Sequence, residues 1–213
     1  MNMNSRAILV NLLVIIIILA GGGAAAYYYN QSASYIKTDN AQVSGQAVTV
    51  ASPGAGKLTG WNAEVGKTYT AGSVLGTVEG GGSRISLTIP TDGTIVQQSA
   101  VNNSIVGAGT PLAKAFDLNN LWITANIDET AVKDLQVGQS VDVYIDAYPD
   151  TSLTGKLDKI GLATAATFSL LPTSNTTANY TKVTQVVPVQ ISIQGYKGLG
   201  IIPGMSATIR VHK

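Results

Sequence analysis

The 213-residue chain contains no cysteine. That excludes disulfides, thiolate metal sites, thiol nucleophiles and the acylated cysteine of a lipoprotein. Histidine is nearly absent too: the single one, His212, stands one residue from the end and is expected to be a solvated bystander. Charge is scarce, with Asp, Glu, Lys and Arg at 12% and a net charge of +1. Nothing in that balance offers the basic patch a nucleic acid requires, so no nucleic-acid partner is expected. An enzyme of this size needs titratable side chains that converge. The three glutamates, Glu64, Glu79 and Glu129, fall on separate expected elements. Asp128-Glu129 reads as a helix start, and Asp142 with Asp146 as the solvated side of a strand. Asp39-Asn40 and Asp92-Gly93 read as turns too poor in oxygen for calcium. Gly80-Gly81-Gly82 lacks the Lys-Ser/Thr pair and the helix of a phosphate loop. No catalytic residue, metal site or cofactor is expected.

What the chain does have is glycine, 23 of them with seven prolines. Many turns between short alternating runs point to a mainly β body. Within it, Val50 to Ala115 says the same thing twice. A shift of 37 positions lays Pro53 on Pro90, Gly56 on Gly93, Leu58 on Ile95 and Ala63 on Ala100. The same shift lays Tyr69 on Val106, Gly72 on Gly109 and Leu75 on Leu112. Gly66 falls on Asn103, and these are the residue types that best tolerate a left-handed backbone. Gly56, Gly66, Gly72, Gly93, Asn103 and Gly109 are therefore expected to define the turns of two equivalent units. Neither unit can bury a core alone, so the two should pack about a pseudo-two-fold axis.

The paired units resemble the biotinyl/lipoyl, or barrel-sandwich hybrid, domain. In carrier members of that fold a lysine in the joining hairpin holds the cofactor. Here the joint, Val78-Glu79-Gly80-Gly81-Gly82-Ser83-Arg84, has no lysine, which argues against a carrier. Other users of the fold are the membrane fusion, or periplasmic adaptor, proteins of HlyD/EmrA type, which insert a long α-helical hairpin at this joint.

Residues 1–29 form a head and an apolar stretch. From Ala7 to Tyr29 no side chain is charged, enough length to cross a bilayer as a helix. Arg6 would then hold the head inside, and Tyr27, Tyr28 and Tyr29 would occupy the outer interfacial belt. The competing reading is a cleaved signal peptide with Ala24-Ala25-Ala26 as its small-residue site. In either case the bulk of the chain lies outside the cytoplasm. The anchored form is expected at the cell membrane as a single-pass protein with a cytoplasmic N-terminus. The expected domains are an anchor over 1–29, a linker and entry strand over 30–47, and a lipoyl-like domain over 48–116. That last domain consists of halves 48–79 and 84–116 joined by Gly80 to Ser83. A small antiparallel β-barrel over 117–213 completes the chain.

The barrel region carries the most specific resemblance. Leu121-Trp122-Ile123, Asp128-Glu129-Thr130, Val137-Gly138-Gln139 and Asp146-Ala147-Tyr148-Pro149 are similar to the adaptor β-barrel. So are Gly155-Lys156-Leu157 and Ile202-Pro203-Gly204-Met205-Ser206. Phe168-Ser169-Leu170-Leu171-Pro172, with Asn175, Asn179, Lys182, Gln185 and Val187-Pro188-Val189, resembles a signature of EmrA-type adaptors, which serve major-facilitator exporters. Val186 stands where that signature has arginine. Phe168, Leu170, Leu171, Pro172 and Asn175 form either a strand edge with its loop or a partner-docking surface. Asp128-Glu129-Thr130 is expected to precede a short helix over Ala131 to Leu135, with Thr130 capping it.

The resemblance implies a non-catalytic adaptor subunit of a multidrug or small-molecule efflux transporter in the inner, or cytoplasmic, membrane. It favours a major-facilitator partner over an ABC one and implies a homo-oligomer. With only glycines at the joint, the body cannot cross a wide periplasm. Either the chain is a natural short form from a cell with one membrane, or the Gly-Gly-Gly-Ser run replaces a removed hairpin. A secreted β-rich module that binds cell wall or carbohydrate is the alternative from another class.

Overall fold

Alternation decides which way each strand faces. Leu121, Ile123, Ala125 and Ile127 are buried, while Trp122, Thr124 and Asn126 between them are not. That period of two makes one side of a strand core and the other surface. The computed structural model describes residues 11–23, 34–168 and 184–213. Among the described residues twelve strands follow in order, the first six being β1 (Tyr35–Ala51), β2 (Gly56–Thr59), β3 (Thr68–Tyr69), β4 (Val74–Gly80), β5 (Ser83–Thr88) and β6 (Gly93–Gln98). Then come β7 (Ile105–Val106), β8 (Pro111–Asp128), β9 (Ser140–Ile145), β10 (Ser152–Ile160), β11 (Val186–Ile193) and β12 (Ser206–His212). The mainly β expectation holds, with a lipoyl-like sandwich followed by a barrel.

β1 and β8 are the longest strands and serve both halves of the body. The first part of β1 and the last part of β8 join β12, β9, β10 and β11 in the order β1-β12-β9-β10-β11-β8. β1 also pairs β8, so this six-stranded antiparallel sheet closes on itself and leaves no free edge. Ile123, Val141, Val143, Ile191, Ile209 and Val211, all fully buried, fill the barrel. The remaining parts of β1 and β8 pair with each other, and β8 carries β6 and β3 beside it. A second sheet, β5-β4-β2-β7, covers that face. Leu58, Leu75, Leu87, Ile89 and Ile95 are sealed between the layers. Each such side chain contributes about 1.5–3 kcal/mol on leaving water.

The duplication is a structural exchange. β2 of the first unit pairs β7 of the second, and β3 of the first pairs β6 of the second. Under the 37-residue shift β2 corresponds to β6 and β3 to β7, so each unit completes the other's sheet. This is the pseudo-two-fold packing expected from the repeat.

Three local differences from the sequence reading have plain causes. The segment after β8 is a 3-10 turn over Glu129–Asp134, beginning before Thr130, and no side chain caps it. Gln185 fixes its start instead, because its carbonyl accepts the Glu129 N–H at 2.9 Å. His212 is no bystander: pairing of β12 with β1 and β9 sets it between Tyr35 and Asp142. Asp142 is accordingly half-buried and bonded, while Asp146 has left the strand. Residues 11–23 are helical, and Leu12 to Leu19 are each 45–69% exposed. Among the described residues no helix is long and apolar enough to cross a membrane.

Candidate functional site

Three joints and surfaces set the shape of the body. The first is the hairpin joining the two units. Gly81 and Gly82 both have positive φ, 59° and 80°, and Gly80 pairs directly with Ser83. Two consecutive left-handed residues form the type I′ loop whose twist matches the flanking strands, a conformation glycine adopts without strain. The strands therefore close in two residues. Beside the loop Arg84 and Glu79 approach to 2.7 Å, with 74% and 39% of their side chains exposed, a pair that solvent screens to little net worth.

The second is the junction between sandwich and barrel. β1 and β8 cross it together, yet their register jumps between Gly45 and Ala47. Only Gln46 lies in that gap on β1, whereas Asp117 to Asn120 fill it on β8. The surplus is held from two sides. The Asp117 carboxylate accepts the Asn119 N–H and the Asn120 side-chain amide. From the barrel, the Tyr196 hydroxyl accepts the Leu121 N–H at 2.9 Å and donates to the Asn119 carbonyl. Tyr196 is itself buried in the barrel core. It latches the barrel to the segment that leads into the sandwich.

The third is the barrel end where β1 begins. His212 Nε2 lies 3.0 Å from Asp142 Oδ2, and its ring meets Tyr35 edge-on at 4.8 Å. The Lys213 N–H donates to the Ser34 carbonyl, and its ammonium lies 3.5 Å from Asp134. The first residues of β1 are thus tied by the last of the chain. β10 ends at this same end, followed by a 3-10 turn over Ala165–Phe168. Leu162, fully exposed, and Val137, 65% exposed, also lie here.

Of the residues singled out from sequence, Phe168 closes that turn. Leu170, Leu171, Pro172 and Asn175 lie outside the described residues, as do Arg6, Tyr27, Tyr28 and Tyr29. The turn residues separate into two kinds. Gly66, Gly72, Asn103 and Gly109 have φ of 88°, 80°, 69° and 79°. Gly56 and Gly93 instead open strands β2 and β6, against Glu79 and Ala115 respectively. Among the described residues no group of three or more His, Asp or Glu side chains could hold a metal ion.

Comparison with known proteins decides the family. Residues 46–117 match the YhbJ barrel-sandwich hybrid domain, and residues 120–213 match the CusB-like β-barrel domain. The YhbJ protein of Bacillus subtilis, named as an efflux system component, is 44% identical over 206 residues, covering 97% of this chain and 92% of that one. The chain is an efflux membrane fusion protein. The multidrug export protein EmrA of Escherichia coli is 32% identical over 111 residues, 52% of this chain and only 28% of EmrA. The solved structure of the periplasmic adaptor protein EmrA superposes with a TM-score of 0.56 at 11% identity, covering 84% of this chain and 99% of that one, a likeness of fold. This membrane fusion protein therefore spans under a third of the length of E. coli EmrA, yet nearly all of YhbJ. The 206 matched residues leave YhbJ no room for a long insertion, so the short form recurs in a relative.

Sequence reasoning misses the Tyr196 latch and the bond from Ala71 N–H to Asp92 Oδ1 at 2.7 Å. The Asp92 contact had a signal in the Asp-Gly turn. The Tyr196 contact, 75 positions from Leu121, had none.

Proposed function

We propose that this membrane fusion protein is the membrane-anchored, extracytoplasmic adaptor of a small-molecule efflux transporter. The full-length relationship to an efflux system component carries the reading. The partner is an exporter in the cytoplasmic membrane, of major-facilitator type in preference to ABC, as the EmrA-type resemblance of Phe168 to Val189 suggests. Residues 7–29 cross the membrane once with the N-terminus inside, and several protomers assemble on the outer face of the transporter. The protein contributes shape and no chemistry. The two-residue Gly81-Gly82 loop fits a collar that remains near the membrane, because the folded body is only a few tens of ångströms across.

Phe168, Leu170, Leu171, Pro172 and Asn175 make the transporter contact. A chain without cysteine allows single labels to be placed cleanly. A photo-crosslinker on a cysteine at 171 should capture a polytopic membrane protein. The double variant Leu170→Ser/Leu171→Ser should lose that partner while keeping its β spectrum and melting transition. Capture of soluble proteins only, or unfolding of the double variant, would remove these residues from the interface. A cysteine at 160 should react with an impermeant maleimide in whole cells while one at position 5 should not; the reverse pattern would refute the topology.

A further inference from the structure

The outer wall of the barrel carries a groove of about 550 Å³ that borders the latch, with Asn119, Leu121 and Tyr196 in its lining, and lies apart from the hairpin. Its floor is the outward side of β8 and β11, where Trp122 sits directly opposite Ser192 and Thr124 opposite Gln190. The loop after β11 forms its wall with Gln194 and Lys197. Asn120 closes one end, its amide nitrogen held by Asp117 so that its carbonyl oxygen is left to accept.

The chemistry of this lining is narrow. It has one broad aromatic face, several neutral amides and hydroxyls, and a single cation; among the described lining residues there is no carboxylate. The Trp122 indole N–H, both side-chain amides of Gln190 and Gln194, and the Lys197 ammonium make no hydrogen bond or ion pair within the described protein. Within the groove the Ser192 hydroxyl is already committed to the Lys156 carbonyl. An indole face presented beside unbonded amides suits a ring with an apolar face and a polar rim. A pyranose has that form. Side-chain amides also pair reciprocally with the N–H and C=O of an acetamido group, and Lys197 tolerates a sugar carboxylate.

We infer that this groove binds an oligosaccharide of N-acetylated amino sugars, with one ring stacked on Trp122 and its acetamido and hydroxyl groups bonded by Gln190, Gln194 and Asn120. The volume accommodates a short run of rings, and binding would hold the barrel against a glycan surface. The inference is independent of any transporter.

The test uses the full chain in a detergent without a sugar headgroup. Trp61, buried in the sandwich, is replaced by Phe so that Trp122 alone reports by fluorescence. Titration with chitotetraose should change Trp122 emission saturably, and calorimetry on the unsubstituted chain should give the same Kd. Gln190→Ala and Gln194→Ala should each weaken binding about tenfold, and Trp122→Ala should abolish the calorimetric signal without shifting the melting transition of the sandwich. Absence of saturation up to about 10 mM would overturn the inference. So would binding that survives Trp122→Ala, or a Trp122 emission change that depends on protein concentration and not on sugar, which would mark a protein contact.

Discussion

Asn103 donates its backbone N–H to the carbonyl of Leu58 at 2.7 Å, the same distance at which Gly66 donates to Ile95. The two bonds are one bond made twice, related by 37 residues. Leu58 N–H to Ser104 and Ile95 N–H to Lys67 repeat the relation at 2.9 and 3.0 Å. Gly109 N–H to Ser52 and Gly72 N–H to Ile89 repeat it again, both at 2.8 Å. The sandwich core is therefore held by a reciprocal set of bonds between the units, and either unit alone would leave these groups without partners.

The first prediction concerns the left-handed position. Asn103→Gly should leave stability within about 0.5 kcal/mol, since φ of 69° suits glycine. Asn103→Val should lower it by about 1–2 kcal/mol, because a branched side chain is strained there. Urea unfolding midpoints distinguish them. Equal midpoints would refute the conformational argument.

A second prediction concerns close approach. A Cβ on Gly56 would come within 2.4 Å of the Glu79 carbonyl oxygen, which backbone cannot yield cheaply. Gly56→Ala should destabilise more than Leu58→Ala is typical of at its lower end, by about 2 kcal/mol or more. Glu79→Gln removes only a screened ion pair and should change stability by under about 0.5 kcal/mol. Thermal melts of the two variants should differ visibly.

At the hairpin, Gly81→Asn creates the Asn-Gly pair that type I′ loops prefer, and nothing lies within 4 Å of the new Cβ. The variant should be as stable as the parent or up to about 1 kcal/mol more stable. Gly81→Val should lose stability. A denaturation series checks the order.

The latch gives a fourth. Tyr196→Phe keeps the ring in the barrel core but leaves the Leu121 N–H and Asn119 carbonyl without their partner. A loss of about 1–3 kcal/mol is expected. Faster amide exchange should appear at Leu121 with little change at Ile209 in the barrel wall. Uniform acceleration would show a general destabilisation and not a released junction.

The pattern of legible and hidden features follows from range. The duplication can be read because Pro53 and Pro90, or Gly66 and Asn103, are dictated by local backbone that recurs at a fixed interval. Strand faces such as Leu121 to Ile127 are read from alternation alone. By contrast Gly45 and Asp117 to Asn120 look like strand ends, yet β1 and β8 continue past them because each is paired to the other on both sides of the gap. His212 looks solvated because it is terminal, but strand register places it beside Tyr35 and Asp142. Register between distant strands leaves no mark in either strand's sequence. The family motifs were legible for the barrel, whereas the residues proposed to meet a partner rest on resemblance.

Co-purification of the full chain from gently solubilised native membranes, with a tag after Lys213, tests the adaptor reading most directly. The account predicts a polytopic exporter recovered in a fixed ratio, retained through a second chromatographic step and lost with Leu170→Ser/Leu171→Ser. Recovery of the intact chain alone, under conditions that keep other transporter complexes together, would contradict it.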